Sequence, residues 1–315
     1  VITEPGIYDL TAAEYHADPV VSPSLSRSIA LLLCDLSPAH AAVAHPRLNG
    51  SGLDDDEAAV IDAKEDRDVG TAAHAIFLRG EHDVIERIPF DTYNTKAARE
   101  MRDAALAAGK IPLKQSKYAE VMQLVDVLNE MRASTGYFTG GKAEQTLVWQ
   151  AGDVWCRCMV DFLPDDPSAP LLDLKTTGGR ARSSLWARGA FDKGYDLQAT
   201  LYTEGAAVLR DGEVASMQFI VVETRPPFGI RRFELSPDAL EIGQQRLIYA
   251  RSIWQQCLER RYWPSYPPEP EWIDAPIYVQ REWDWKLRQL PTWAQRIANR
   301  EAATQRIIDA KQYGG

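Results

Sequence analysis

The sequence is 315 residues long, 45% hydrophobic and 9% aromatic, enough to bury a sizeable core in one large domain or two small ones. A formal net charge of -10 excludes a protein that coats nucleic acid by charge alone. No run approaches the ~18 to 20 consecutive apolar residues of a membrane-spanning helix, Val1 to Leu10 carries two acids and no basic cluster, and four cysteines are too sparse for a disulfide scaffold, so an unexported, cytoplasmic protein with no membrane partner is expected.

From Pro5 to Gly50 the pattern is one of short helices with polar starts. Ser22-Pro23-Ser24 precedes the apolar Leu25 to Leu33, Ser37-Pro38 precedes Ala39 to Ala44, and Ser followed by Pro is a helix-entry signal. An acidic stretch, Asp54-Asp55-Asp56-Glu57, leads into a long helical pattern through Ala58 and Ile61 to Leu78. Lys96 to Ala108 and Ser116 to Met131 follow with the same period.

After Gly140-Gly141 the period changes. Glu144 to Gln150 and Val154 to Leu163 are rich in Val, Leu and Trp and flank Ala151-Gly152-Asp153, a hairpin signal. Leu171 to Thr176 is short and apolar enough for a buried strand. Ser183 to Leu209 is helical with an interruption near Gly194, Met217 to Val222 and Ile230 to Leu235 are strands around Pro226-Pro227, and Ser236-Pro237-Asp238 opens a helix reaching Arg260. The order of helix, three strands, helix, two strands and helix predicts a mixed α/β (α+β) fold in which helices cover a central sheet. The text changes again at Trp263-Pro264 and Pro267-Pro268, dividing a domain over 1–268 from an extension over 269–315. Four of the nine tryptophans, Trp272, Trp283, Trp285 and Trp293, lie in that extension, which either packs on its own domain or forms a subunit contact.

The chemistry concentrates in the middle of the chain. Asp161, at the end of one apolar stretch, and Asp173, in the next, approach one another if their strands are sheet neighbours. Such a pair, with the backbone carbonyl of Leu174 and water, suits the octahedral oxygen shell of magnesium, for which manganese substitutes. Lys175 lies two residues after Asp173 and therefore on the same side of the strand, where its ammonium reaches the attacking water or the phosphate. A lone D-x-K also occurs by chance at strand ends, and the reading strengthens only with its companions.

Gln198 and Tyr202 are four apart and share a helix face; Gln198 either orients Lys175 or binds a phosphate oxygen, and both are otherwise ordinary helix-surface residues. His74, one turn after Gly70 in an apolar helix, is either a satisfied core histidine or a metal ligand. Glu144 is either an additional ligand or base, or an exposed strand-start acid. Arg180, Arg182, Arg188 and Lys193 cluster after Lys175 with a single acid, Asp192, and are candidate phosphate contacts. Cys156 and Cys158 share one strand face without forming a C-x-x-C knuckle and read as small buried apolar residues.

In order, Gly70-x-x-x-His74, Asp161, Asp173-Leu174-Lys175 and Gln198-x-x-x-Tyr202 resemble the motif series of RecB-type nucleases in the PD-(D/E)XK superfamily. Gly6-Ile7-Tyr8, Glu14-Tyr15-His16, Ser22-Pro23-Ser24-Leu25-Ser26 and Leu36-Ser37-Pro38-Ala39-His40 resemble the opening of phage and prophage RecE-type exonucleases, the exonuclease VIII family. The resemblance covers residues 5–268. It implies a PD-(D/E)XK core with metal ligands His74, Asp161 and Asp173, catalytic Lys175, and support from Gln198, Tyr202 and Glu144. It also implies processive 5′ to 3′ digestion of linear double-stranded DNA in a bacterial host cell, 3′ overhangs passed to a RecT-like annealing protein, and a homotetrameric ring. The family's Pro-Asp pair is absent, since Val160 precedes Asp161. Related nucleases carry an iron–sulfur cluster on one cysteine before the core and three after it; only Cys257 follows the core here, so no cluster is expected. The alternatives are an endonuclease of the same fold and an inactive DNA-end-binding module; a decayed site usually loses one of the three residues Asp161, Asp173 and Lys175, and all are present.

Overall fold

The computed structural model describes residues 1–48, 64–210, 212 and 216–313. The chain begins with β1 (Gly6–Tyr8) and three short helices, α1 (Ala12–His16), α2 (Arg27–Asp35) and α3 (Pro38–Ala44). Next come α4 (Lys64–Arg79), β2 (Ile85–Ile88), α5 (Lys96–Ala107), β3 (Ile111–Lys114) and α6 (Gln115–Thr135), followed by the strands β4 (Gly141–Ala151), β5 (Val154–Pro164) and β6 (Leu171–Thr177). Two helices, α7 (Ser183–Asp192) and α8 (Tyr195–Leu209), precede β7 (Met217–Glu223), β8 (Ile230–Glu234), α9 (Pro237–Arg260) and α10 (Ile277–Tyr313).

The expected central pattern is therefore present, with Gly194 in left-handed backbone (φ 65°) separating α7 from α8. The acidic stretch at Asp54 to Glu57 and the helical pattern from Ala58 to Ala63 lie outside the described residues. One helix start differs from expectation: α2 begins at Arg27 after Ser26, because Leu25 is used elsewhere. β1, β2 and β3, of three or four residues each, are too short to show a period.

Six strands form one sheet in the order β1-β4-β5-β6-β7-β8, in which β6 and β7 are parallel and every other pair is antiparallel. β2 and β3 make a separate parallel pair. One face of the sheet carries Leu147, Trp149, Cys156, Cys158, Leu171 and Phe219 and is covered by α2, α8 and α9 through residues such as Leu33, Leu197 and Trp254. The opposite face carries Phe162, Leu172, Leu174 and Ile220 and is covered by α4 and α6 through Ala73, Phe77, Leu124 and Leu128. Burying both faces accounts for the near-continuous apolar text of β5 and β7. Cys156 and Cys158 lie in the first of these cores, as small buried residues.

β5 and β6 are paired at Phe162 and Leu172 and then separate. Farther along β5 the vacated edge is taken by the N-terminal segment: Leu25 N–H donates to the Trp155 carbonyl (2.8 Å) and Arg157 N–H donates to the Leu25 carbonyl (3.0 Å). Leu25 is fully buried there. Asp18 holds this segment in place. Its carboxylate accepts from the Ser24 hydroxyl (2.7 Å) and amide (3.0 Å) and pairs with Arg157 (3.0 Å) and His45 (3.2 Å), all with almost no solvent exposure. Burial alone would raise the Asp18 pKa, but His45, Arg157 and Ser24 outweigh it and hold the carboxyl below its ordinary value.

Residues Pro267–Gly315 form a unit of their own, dominated by the 37-residue α10. Trp272 is 97% exposed, and Trp283, Trp285 and Trp293 are exposed along the helix. Among the described residues, no helix is long and apolar enough to cross a membrane.

Removing the Asp18 charge leaves a buried guanidinium without its partner, so Asp18→Asn is expected to lower unfolding stability by about 3–5 kcal/mol at neutral pH. Because the folded pKa of Asp18 is depressed, its contribution is complete above the unfolded value and is lost as pH falls through the folded one. Urea titrations of both proteins should therefore show a gap that closes below about pH 4; a gap independent of pH would show that Asp18 acts by shape and not by charge.

Candidate active site

Asp161 and Asp173 do not end their strands, as the sequence suggested; they sit where the strands part. Extending the Phe162–Leu172 register by one residue sets Asp161 opposite Asp173. At that point the ladder changes hands. The Leu174 N–H, which would otherwise seek a carbonyl on β5, donates to Asp161 Oδ2 at 2.7 Å. A strand residue presents its N–H and C=O to the same edge, so the Leu174 carbonyl also faces the fork.

A break in β5 explains why Asp161 is available. Val160 belongs to the core under α8, whereas Phe162, two residues on, belongs to the core under α4; a regular strand would place both on one face. The residue facing Asp161 across the β4 register is Glu144, whose φ of 46° is left-handed. That conformation costs a non-glycine residue about 1–2 kcal/mol. It is offset by the contacts the distortion permits, for both carboxylates reach His74 on α4: Nε2 lies 2.9 Å from Asp161 and Nδ1 3.3 Å from Glu144.

α4 comes this close because Gly70 has no side chain. A Cβ there would stand 2.4 Å from the Thr176 hydroxyl on β6. Helices on opposite faces of the sheet thus serve one opening, with His74 reaching in from α4 and Gln198 from α8. Gln198 Nε2 donates to Asp173 Oδ1 at 2.5 Å, so the group it orients within the chain is that carboxylate and not Lys175. Lys175 Nζ lies 2.7 Å from Asp173 Oδ2, the same-side placement its spacing required. Tyr202 is buried one turn beyond Gln198 and feels the Asp173 charge, and burial pushes its phenol well up.

Electrostatics follow from three carboxylates and three cations around one fork. Burial opposes the charge of His74, but Asp161 and Glu144 outweigh it and raise its pKa to about 10. The Asp173 carboxyl is pushed up to about 6, chiefly by burial and against the pull of Lys175. Burial also disfavours the charge on Asp161, yet His74, Lys175 and the Leu174 amide hold its carboxyl low. Lys175 is raised despite burial by Asp173, Asp161 and Tyr195.

As a cation site the fork is part-built. Asp173 Oδ2 is buried with the Lys175 ammonium 2.7 Å away, an anionic oxygen of the kind a hard cation takes as ligand. Asp161 and the Leu174 carbonyl supply further oxygens. His74 has both ring nitrogens directed at carboxylates, Nε2 at Asp161 and Nδ1 at Glu144; among the described residues no three His, Cys, Asp or Glu side chains converge as a ready cage.

Residues 53–276 match a family described as a PDDEXK-like domain of unknown function (DUF3799). The chain belongs to this family. In fold the chain is similar to a crystal structure from Eubacterium rectale at 2.19 Å resolution, described provisionally as an exonuclease. The TM-score is 0.54 at 12% identity, over 87% of this chain and 98% of that one. A second solved structure, of SSO0001, aligns with a TM-score of 0.30 at 9% identity over 75% of this chain and 81% of that one, too distant to carry an argument. No curated protein sequence matches the chain.

Two polar neighbours of the fork in this PDDEXK-like domain escaped the sequence reading. Arg79, in the last turn of α4, pairs with Glu144 and donates to the Glu144 and Leu10 carbonyls. A basic residue in a last turn ordinarily reads as a partner of the helix dipole. Tyr195 lies with its ring 5.1 Å from Lys175 Nζ; its place three residues before Gln198 was the available signal. Of the proposed phosphate contacts, Arg180 and Lys193 line a cleft beside Lys175, and Arg180 also pairs with Glu223 (2.7 Å). Arg182 precedes α7, Arg188 lies on it, and both are exposed.

The close approach of α4 yields a test. Overpacking by Gly70→Ala is expected to outweigh the ~1 kcal/mol that alanine adds to helix propensity, lowering the unfolding midpoint. Thr176→Ala in the same chain should restore most of it. Strict additivity of the two substitutions would show that the helix does not press on Thr176.

Proposed function

We propose that this chain is a magnesium-dependent deoxyribonuclease that digests linear double-stranded DNA from its ends, 5′ to 3′, and leaves 3′ single strands. The observation that carries the reading is the meeting of Asp161, Asp173 and Lys175 at one fork in the sheet, with Gln198 fixing the Asp173 carboxylate. Membership of a PDDEXK-like family and a structural neighbour described as an exonuclease support hydrolysis of a phosphodiester. Direction, a ring-shaped tetramer and a RecT-like annealing partner follow from the RecE-type resemblance of the opening residues.

Magnesium, or manganese in its place, held by Asp161, Asp173 and the Leu174 carbonyl, would supply charge neutralisation and lower the pKa of a coordinated water. The chain's own residues do the rest. Water oxygen bonds to phosphorus and gives up a proton to solvent as the ester bond to the leaving sugar oxygen breaks and that oxygen takes up a proton from solvent, while negative charge grows on the phosphoryl oxygens in the transition state. Lys175 places its ammonium beside that charge. Gln198, by donating to Oδ1 of Asp173, leaves Oδ2 directed at the fork, a positioning role. His74 and Arg79 hold Glu144 and Asp161 together against their mutual repulsion.

Asp173→Asn and Lys175→Ala are each expected to reduce magnesium-dependent digestion by about 10²-fold or more with unchanged far-ultraviolet circular dichroism. Gln198→Ala should lose about 10- to 100-fold, and Tyr202→Phe should be milder than Lys175→Ala. Full activity in both the Asp173 and Lys175 variants would remove the site.

End-labelled linear duplex, compared for 5′ and 3′ labels with and without magnesium, tests the direction; release of the 5′ label first is expected. Covalently closed circles should survive, and their cleavage would replace the exonuclease by an endonuclease.

A further inference from the structure

Four glycines stand inside helices among the described residues: Gly70 in α4, Gly189 in α7, Gly205 in α8 and Gly243 in α9. Each is destabilising relative to alanine by about 0.5–1 kcal/mol, so each calls for a reason. Three have one inside the chain. A Cβ on Gly70 would meet Thr176 at 2.4 Å, on Gly205 the Trp149 ring at 2.7 Å, and on Gly243 the Asp196 carbonyl at 2.4 Å. Gly189 has none: no heavy atom lies within 4 Å of its Cβ position, and its backbone is not left-handed.

What Gly189 does face is the cleft beside Lys175. It lines that cleft with Leu185 one turn before it and Lys193 one turn after it, and Arg180 stands on the same cleft. Leu185 is 56% exposed, so its apolar side chain is open to a ligand in the cleft. Residues 175–193 hold five cations, Lys175, Arg180, Arg182, Arg188 and Lys193, against one acid, Asp192, in a chain whose net charge is -10. A helix stripped of side chain in its last turn, flanked by an apolar contact and an ammonium and set in a positive stretch, fits a polyanion with apolar faces between its charges.

We propose that one strand of DNA lies across α7 at Gly189, closer than a side chain would allow, with Lys193 and Arg180 at its phosphates and Leu185 against a sugar or base. The helix thereby sets the path of the strand to Lys175. This rests on the nuclease reading and adds to it the surface that guides the substrate.

The test compares Gly189→Ala and Gly189→Leu with Ala187→Leu, an equally bulky change at an exposed position of α7 outside the cleft wall. Binding of a fluorescent linear duplex is measured by anisotropy with calcium in place of magnesium, alongside thermal unfolding. Gly189→Ala should raise the unfolding midpoint by about 1–3 °C while weakening binding, and Gly189→Leu should weaken binding by about tenfold or more. Ala187→Leu should bind as the unaltered protein does. Opposite signs for stability and affinity are the signature of a contact surface. Affinity within twofold of the unaltered protein in both Gly189 variants, or an equal loss in Ala187→Leu, would overturn the inference while digestion by the unaltered protein still stood. An unaltered protein that neither binds nor digests duplex would overturn the nuclease reading and this inference with it.

Discussion

The Leu174 amide donates to the Asp161 carboxylate, and through that hydrogen bond a side chain replaces a neighbouring strand. A buried backbone N–H must find an acceptor, and ordinarily β5 would supply a carbonyl. Because Asp161 supplies a carboxylate, β5 and β6 can part after Phe162 and Leu172 without leaving the amide unsatisfied. The opening created is polar, lies between two apolar cores, and is reached from both helical layers. Glu144, Asp161 and Asp173 face His74, Lys175 and Arg79 across it, so charge is balanced where isolated ions would be expelled.

Much of this was written in local patterns. The hairpin at Gly152, the Ser236-Pro237 helix start and the two-residue spacing of Asp173 and Lys175 each express a rule that acts over a few residues, and the structure follows them. The close fit of Gly70 against Thr176 was likewise foreseeable from a small residue one turn before His74. The fork was not. It depends on β5 changing faces between Val160 and Phe162, and an apolar residue on either face of a doubly covered sheet leaves the same text. The left-handed backbone of Glu144 and the pairing of Arg79 with it are consequences of that change, so they were hidden too. Gln198 was placed on the proper helix face, yet its partner, Asp173, could be chosen only once the sheet order was known.

The two helical layers divide the work of the site differently. α4 presents His74 from a close-packed face, and α8 presents Gln198 from the larger core that also buries Trp149 and Trp254. Side chains anchored in this way hold fixed geometry with little help from loops. α7 differs, since only Trp186 and Ala190 seat it firmly: Trp186 stacks on Phe233 at 4.5 Å, and the helix leaves Leu185 and Phe191 in solvent.

The edge of β5 beyond the fork is closed by Leu25, from a segment remote in sequence and pinned by Asp18. An internal strand edge is thereby sealed by a piece of chain that belongs to no long element. Were that seal lost, the amide of Arg157 and the carbonyl of Trp155 would face outward beside a well-ordered sheet, a template for pairing with whatever extended peptide came first. The opening residues of this domain therefore keep an inner strand edge covered as well as completing the fold.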